Sequence, residues 1–109
     1  MNIYRSHYCS DLNNSNLDQK VTLSGWVDTI RDHGNLIFID LRDNYGLTQC
    51  VVDAKHKSFG DLTKLSNESV ITVEGIVIKR SKETVNTHIS TGDIEVKIES
   101  YKLLSSSDV

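Results

Sequence analysis

The sequence predicts an all-β domain in which five strands close into a small barrel, with a short helix between the third and fourth strands. Two observations lead to this prediction. Apolar and polar residues alternate along several segments, and this period of two is typical of half-buried strands. One segment near residue 60 instead spaces its apolar residues three apart, as a helix does. Gly, Asn and Asp residues between the first segments indicate short turns.

The first half of the chain predicts a meander of three strands, at Lys20–Thr29, Leu36–Arg42 and Leu47–Asp53. The connections Asp32-His33-Gly34-Asn35 and Asp43-Asn44-Tyr45-Gly46 contain residue types that tolerate turn conformations. Because both connections are short, neighbouring strands are expected to pair antiparallel. Gly25, in the middle of the first strand, predicts a bulge or a sharp bend where a barrel turns a corner.

The second half predicts one helix and two further strands. Between Ser58 and Ser66 the apolar residues recur every three positions, with Ser58 as the expected N-cap and Asp61 completing an imperfect capping box. Strand patterns return at Ser69–Arg80 and Ile94–Leu104, and the polar segment Ser81–Gly92 between them is predicted to be a loop.

Near the N-terminus, Arg5–Leu12 predicts one or two helical turns. The order of the main elements, three meander strands, a helix and two strands, is that of the OB-fold, whose ligand face lies on its second and third strands. An SH3-like barrel, the nearest alternative, lacks the helix.

Composition limits the possible functions. A chain of 109 residues forms one domain, and its net charge of −3 argues against a nucleic-acid grip that depends mainly on phosphates. It has no apolar run long enough for a membrane span and no signal-peptide pattern, so we expect a cytoplasmic protein without a membrane partner. Cys9 and Cys50 are expected to be free thiols.

Catalytic chemistry finds no support in the motifs. The histidines show no metal-ligand spacing, and the phosphate-binding and nucleophile-elbow glycine patterns are absent. We therefore expect no catalytic residue, no metal and no cofactor in this domain. The acidic residues of the first hairpin are expected to cap turns and to pair with Arg31 and Arg42; they are Asp28, Asp32, Asp40 and Asp43.

Phe38 is the residue that the strand pattern explains least. Alternation places Ile37, Ile39 and Leu41 on the core face of the second strand. Leu36, Phe38 and Asp40 then share the opposite face. An aromatic ring beside a carboxylate on that face is either a platform for stacking an unpaired base or a side chain covered by a second layer, and strand geometry leaves both open.

A series of short motifs suggests a family. In order, they are Gly25-Trp26-Val27, Arg31-Asp32-x-Gly34, the segment IFIDLRD over 37–43, Gln49, and Thr91-Gly92-Asp93-Ile94-Glu95-Val96. Over essentially its whole length, the chain resembles the N-terminal anticodon-binding domain of bacterial-type aspartyl-tRNA synthetases. It departs from that family at Asp28-Thr29-Ile30 and at Ile78, where arginines are common. Fewer cations imply weaker phosphate contacts.

The resemblance implies roles for particular residues. Phe38 matches the aromatic that stacks on the central anticodon base, and Gln49 matches the residue that reads the edge of that base. Arg31 matches a cation near the first anticodon base, and Glu95 matches a carboxylate that contacts the anticodon. Without the family pattern, the favoured interpretation of Gln49 and Glu95 is that they satisfy a neighbouring strand or Lys97.

Three loop or strand-end positions complete the implied site. Arg80 and Asn86 match positions that border the RNA loop. His33 lies in a specificity loop that varies with whether the enzyme charges only tRNA(Asp) or also tRNA(Asn), and we favour the relaxed type. The implied partner is therefore tRNA(Asp) with a GUC-type anticodon, and under relaxed specificity also tRNA(Asn).

The resemblance also implies a longer parent protein. Residues 1–109 correspond to a single anticodon-binding domain, after which the family continues into a class II catalytic domain that uses ATP and Mg²⁺. The parent is expected to be an aspartate–tRNA ligase and, as is typical of the family, a homodimer. Two alternatives stay open: a general single-strand-binding OB domain, and a protein-interaction or oligomerisation domain that uses Trp26, Val51 and Val52 as a patch.

Overall fold

The computed structural model of the protein describes residues 5–105. Its elements are a 3₁₀ turn at Asn14–Asn16, strands β1 (Lys20–Asp32), β2 (Leu36–Arg42) and β3 (Leu47–Asp53), helix α1 (Phe59–Thr63), and strands β4 (Val70–Lys79) and β5 (Ile94–Ser105). The five strands close into a barrel in the order β1-β2-β3-β5-β4. The predicted all-β OB-fold with a helix between β3 and β4 is confirmed.

Closure of the barrel depends on two features of strand pairing. The long strand β1 pairs antiparallel with β2 through its second half and with β4 through its first half. A short parallel contact, Cys50 with Val96 and Val51 with Lys97, joins β3 to β5. Because every strand thus has two neighbours, the sheet has no free edge.

The core forms where the sequence pattern predicts it. Ile37, Ile39 and Leu41 of β2 are fully buried, and Leu62 of α1 packs into the same cluster. Cys9 and Cys50 are buried free cysteines. Burial raises the pKa of both thiols well above the ordinary range, so neither is a reactive thiolate at neutral pH.

The prediction of helical turns over Arg5–Leu12 is wrong. This segment is irregular because its polar groups bond to the barrel: the Cys9 amide donates to Asp43 Oδ2 at 2.8 Å, and Thr48 Oγ1 donates to the Cys9 carbonyl at 2.7 Å. The nearby 3₁₀ turn at Asn14–Asn16, closed by an Asn13–Asn16 capping box, was not predicted.

Two finer predictions are also corrected. Ser58 precedes α1 but makes no side-chain cap, because its backbone angles are helical (φ −92°, ψ 0°) and not extended. The β1 bulge lies between Val27 and Thr29 and not at Gly25. Gly25 pairs regularly with Ile71, and a Cβ atom there would collide with the carbonyl oxygen of Arg42. Its small size permits close packing of strands.

Candidate nucleic-acid interface

A cleft of about 580 Å³ lies on the outer face of the barrel, over β2 and β3 and beside the 81–92 loop. Strand register explains why chain-distant residues meet there. Arg31 of β1 lies opposite Phe38 of β2, and Asp40 lies opposite Gln49 of β3. Directly opposed residues in antiparallel strands project from the same face. Six of the seven residues expected at the site line the cleft: Arg31, His33, Phe38, Gln49, Arg80 and Asn86.

Phe38 is covered by polar side chains. The ring is only 7% exposed. His33 approaches it edge-on, with ring centroids 5.0 Å apart and an interplanar angle of 86°, and the guanidinium carbon of Arg31 lies 5.9 Å from the ring centroid. Both covering residues are themselves exposed. The cover on Phe38 therefore includes the imidazole of His33, a solvent-exposed group that a ligand can displace.

Gln49 lies at the centre of a hydrogen-bond network and is 3% exposed. Its Oε1 accepts from Arg31 Nη2 at 2.8 Å and from Arg80 Nη1 at 3.4 Å. Its Nε2 donates to Glu95 Oε1 at 2.7 Å. Glu95, the seventh expected site residue, therefore contacts the site through Gln49. The amide oxygen of Gln49 faces the two arginines, and its nitrogen faces the carboxylate.

Arg80 links the end of β4 to β5 and to the 81–92 loop. Its Nε donates to the Ile94 carbonyl and its Nη1 to the Thr84 carbonyl, both at 2.8 Å. Burial lowers the pKa of the guanidinium, which nevertheless stays charged at neutral pH. Within residues 5–105, its buried Nη2 has no hydrogen-bond partner. A buried donor of this kind is uncommon in native proteins and is expected to be satisfied by water or by a ligand.

Glu95 is 8% exposed, and its burial raises the pKa of the carboxyl above the ordinary value. The hydrogen bond from Gln49 and the charge of Arg80 oppose this rise. Desolvation therefore outweighs the favourable contacts of the charged form. The carboxylate is held in the site at a net electrostatic cost, which is common for groups that serve a ligand.

The raised pKa of Glu95 predicts a pH-dependent stability. Because the folded state binds the Glu95 proton more tightly than the unfolded chain, this contribution is fully present below the unfolded pKa and is lost as pH rises through the folded pKa. Relative to Glu95→Gln, the wild-type domain is expected to gain stability as pH falls from near 7 to about 4. Denaturant titrations of both proteins across this range measure the difference. A relative loss by wild type on acidification would show that the hydrogen bond and Arg80 dominate.

The expected ion pairs and turn caps of the first hairpin are confirmed. Arg31 makes a bidentate pair with Asp40, and Arg42 Nε lies 3.2 Å from Asp28 Oδ1. Asp32 accepts from the Gly34 amide at 2.8 Å, where Gly34 has a φ of 79°. The first loop is therefore fixed at its base by hydrogen bonds of the kind that small acidic residues form in turns.

The 81–92 loop contributes Asn86 and several residues that sequence reasoning missed. Asn86 Oδ1 accepts from the His88 amide at 2.9 Å, so this oxygen shapes the loop. The missed lining residues of the loop are Glu83, Thr84, Val85 and Ile89. No periodic pattern marks them. Asp40 was not predicted as a site residue either, although strand alternation puts it on the face of Phe38.

The alternative patch of Trp26, Val51 and Val52 does not form. Val52 belongs to the core cluster and Val51 is also buried, so neither is available to a protein partner.

Within residues 5–105 no helix is long and apolar enough to cross a membrane. The same residues contain no group of three or more His, Cys, Asp or Glu side chains that could hold a metal ion.

The fold and the cleft define a class of protein, a small OB-fold module that surrounds one aromatic ring with hydrogen-bonding side chains. Residues 21–104 match the tRNA anti-codon family model, described as an OB-fold nucleic acid binding domain. The chain belongs to this family and is an anticodon-binding OB domain of the aspartyl-tRNA ligase type. The resemblance noted from the sequence motifs is confirmed.

Relatives and solved structures agree with this placement. The chain is 53% identical over 104 residues to an aspartate–tRNA(Asp/Asn) ligase of Pelagibacter ubique. This match covers 95% of the chain and 18% of the relative. It is 50% identical over 109 residues to the ligase of the same name from Paramagnetospirillum magneticum. That match covers 100% of the chain and 12% of the relative. The chain thus spans less than a fifth of either relative.

Among solved structures, an asparaginyl-tRNA synthetase from Pyrococcus horikoshii is similar, with a TM-score of 0.77 and 30% sequence identity. The match covers 94% of this chain and 23% of that one. The OB domain therefore occurs in synthetases named for different amino acids. Differences in what such domains bind must then come from the residues of the cleft and not from the fold.

Proposed function

We propose that this domain binds the anticodon loop of tRNA(Asp), with the sequence GUC, on behalf of a parent aspartate–tRNA ligase. The observation that supports this proposal most strongly is the cleft itself, in which Phe38 lies beside the Gln49–Glu95 pair. Single-stranded RNA loops are recognised by stacking unpaired bases on aromatic rings and by hydrogen-bonding the exposed base edges.

The residues that the family resemblance assigns to the site each have a role in this proposal. Phe38 stacks on the central base, which requires His33 to move from the ring while Arg31 keeps its bonds to Asp40 and Gln49. Gln49 bonds the edge of that base, and Glu95 accepts from a base N–H group. Arg80 supplies its unpartnered Nη2 to an acceptor on the RNA. Arg31 lies near the first base, and Asn86 borders the RNA loop.

We infer that most of the remaining affinity for tRNA lies elsewhere in the parent. The chain has a net charge of −3, whereas nucleic-acid affinity that depends on phosphates requires clustered Lys and Arg residues. The domain therefore contributes selection of the anticodon more than overall attraction to tRNA. We assign most of the phosphate contacts to parts of the parent outside this chain.

The parent's catalysis is likewise assigned to the rest of the protein. The matched ligases are more than five times as long as this chain, and the proposal gives the parent a class II catalytic domain, a homodimeric state and a cytoplasmic location. In this proposal, the catalytic domain of the parent activates aspartate with ATP and Mg²⁺. The described residues contain no group of three or more His, Cys, Asp or Glu side chains that could hold a metal ion, and the proposal assigns this step to the rest of the parent.

We further propose that the parent has the relaxed specificity and also charges tRNA(Asn). Support comes from His33, which packs on Phe38 in the specificity loop, and from relatives whose names specify both tRNAs. Asparagine anticodons share the first two bases with GUC and end in U. A site that reads mainly the first and central bases accepts both loops.

Binding of anticodon stem-loops to the 109-residue chain tests both proposals. Loops bearing GUC, GUU and a scrambled sequence are titrated and followed by fluorescence anisotropy. We expect comparable affinities for GUC and GUU and weaker binding of the scrambled loop. Equal affinity for all three would indicate a general single-strand binder, and a strong preference of GUC over GUU would contradict the relaxed specificity.

A further inference from the structure

Asp40 has the most constrained ionic contact in the cleft, although the proposed contacts to RNA give it no role. Its two carboxylate oxygens accept from Arg31 Nη1 at 2.5 Å and from Nη2 at 3.1 Å. Thr29 Oγ1 donates to the same carboxylate at 2.7 Å. Bidentate pairs of this kind fix the plane of the guanidinium as well as its position. Asp40 therefore determines where the Arg31 fork points.

The guanidinium of Arg31, held by Asp40, donates a hydrogen bond to Gln49. Arg31 Nη2, which bonds Asp40, also donates to Gln49 Oε1 at 2.8 Å, and Arg80 Nη1 approaches the same oxygen. The nitrogen end of the amide donates to Glu95. A reversed amide would place its N–H groups against two guanidinium donors and its oxygen against a carboxylate. Every contact would then be repulsive, so the amide has one stable orientation.

This orientation leaves one kind of hydrogen-bonding group for a base. The amide oxygen already accepts two hydrogen bonds. Nε2 carries two hydrogens, and the described residues supply one acceptor for them, Glu95. One N–H of Gln49 is consequently available, and it requires an acceptor on the ligand.

We propose that Asp40 is a positioning residue that, through Arg31, presents Gln49 to the central base as a hydrogen-bond donor, so that the site selects a keto oxygen at that base edge. The inference rests on the proposed anticodon function. Uracil has a keto oxygen at the position where cytosine has an amino group, which would oppose a second donor. Asp40 thereby contributes to discrimination between these pyrimidines without contacting the RNA.

Stem-loops with the loop sequences GUC and GCC test this role in Asp40→Asn. The matched control is Asp28→Asn, which removes the same charge from the neighbouring Arg42 pair. Among the described residues, the hydrogen bonds of Gln49 go to Arg31, Arg80 and Glu95 and not to this pair. We expect Asp40→Asn to reduce the preference for the central U by about tenfold, the factor expected for one misdirected hydrogen bond. Asp28→Asn is expected to leave the preference within about twofold of wild type.

An RNA-free measurement separates this inference from the proposed function. Side-chain ¹⁵N relaxation of Gln49 reports amide order on the nanosecond timescale. We expect an ordered amide in wild type and in Asp28→Asn and a mobile one in Asp40→Asn, while Thr29→Val, at an exposed site, gives an intermediate result. An ordered Gln49 amide in Asp40→Asn overturns the positioning role whether or not RNA binds.

Binding of the two stem-loops tests whether the site selects a keto oxygen at the central base. Equal binding of GUC and GCC by wild type overturns the selection of a keto oxygen, and an unchanged preference in Asp40→Asn overturns the contribution of Asp40 to it. If wild type binds neither loop, the anticodon function fails, and the relaxation data still decide whether Asp40 orders Gln49.

Discussion

Replacement of Phe38 by alanine is expected to weaken binding of a GUC stem-loop by about 1–3 kcal/mol, the usual contribution of one stacked base. The structure supports a large effect because Phe38 is the only Phe, Tyr or Trp among the residues that line the cleft. The alanine variant removes the large planar ring that best supports stacking of a base in this cleft. Titration of the stem-loop into the domain, or tRNA binding by the parent, measures the loss.

Two further variants distinguish stacking from packing. Tyr45→Ala removes an aromatic ring that is 63% exposed and lies outside the cleft, and it is expected to leave RNA affinity unchanged. Phe38→Leu keeps an apolar side chain at the same position but removes the π face. If stacking is the source of affinity, Phe38→Leu binds nearly as weakly as Phe38→Ala. Full affinity in Phe38→Leu would show that Phe38 acts only through packing.

The strands were predictable because apolar and polar residues alternate along their sequences. In β2 this alternation gave the correct core face, Ile37, Ile39 and Leu41, although Phe38 on the opposite face is also buried. The two turn segments gave the correct hairpins. The N-terminal segment was not predictable in the same way. Its conformation depends on hydrogen bonds from Cys9 to residues more than 30 positions away, and such contacts leave no local pattern.

The site was predictable only in part for a similar reason. Alternation placed Phe38 outside the core, and the family motifs added Gln49, which the register then put beside it. The link from Asp40 through Arg31 to Gln49 could not be read from the sequence, because it depends on which side chains of three strands reach one another. Burial of Phe38 by His33 was equally inaccessible, since it depends on a loop conformation.

Arg80→Met is expected to lower the free energy of unfolding by about 2–4 kcal/mol. Methionine preserves much of the apolar volume but donates no hydrogen bond, so the carbonyl groups of Ile94 and Thr84 lose their charged partner. The buried Glu95 carboxylate also loses the nearby positive charge that favours its ionised form. Urea-induced unfolding of the domain measures the change. Because Arg80 anchors the 81–92 loop and contacts Gln49, affinity for the GUC loop is expected to fall as well.

The neighbouring cation provides the matched control. Lys79→Met removes the same charge one residue earlier, from an exposed position at the end of β4, and is expected to change stability by less than about 0.5 kcal/mol. Arg80→Lys keeps the charge but lacks the planar fork that reaches Ile94, Thr84 and Gln49 together. If hydrogen-bond geometry governs, Arg80→Lys resembles Arg80→Met; if charge alone governs, it resembles wild type. Equal stabilities of Arg80→Met and Lys79→Met would contradict the structural role of the buried guanidinium.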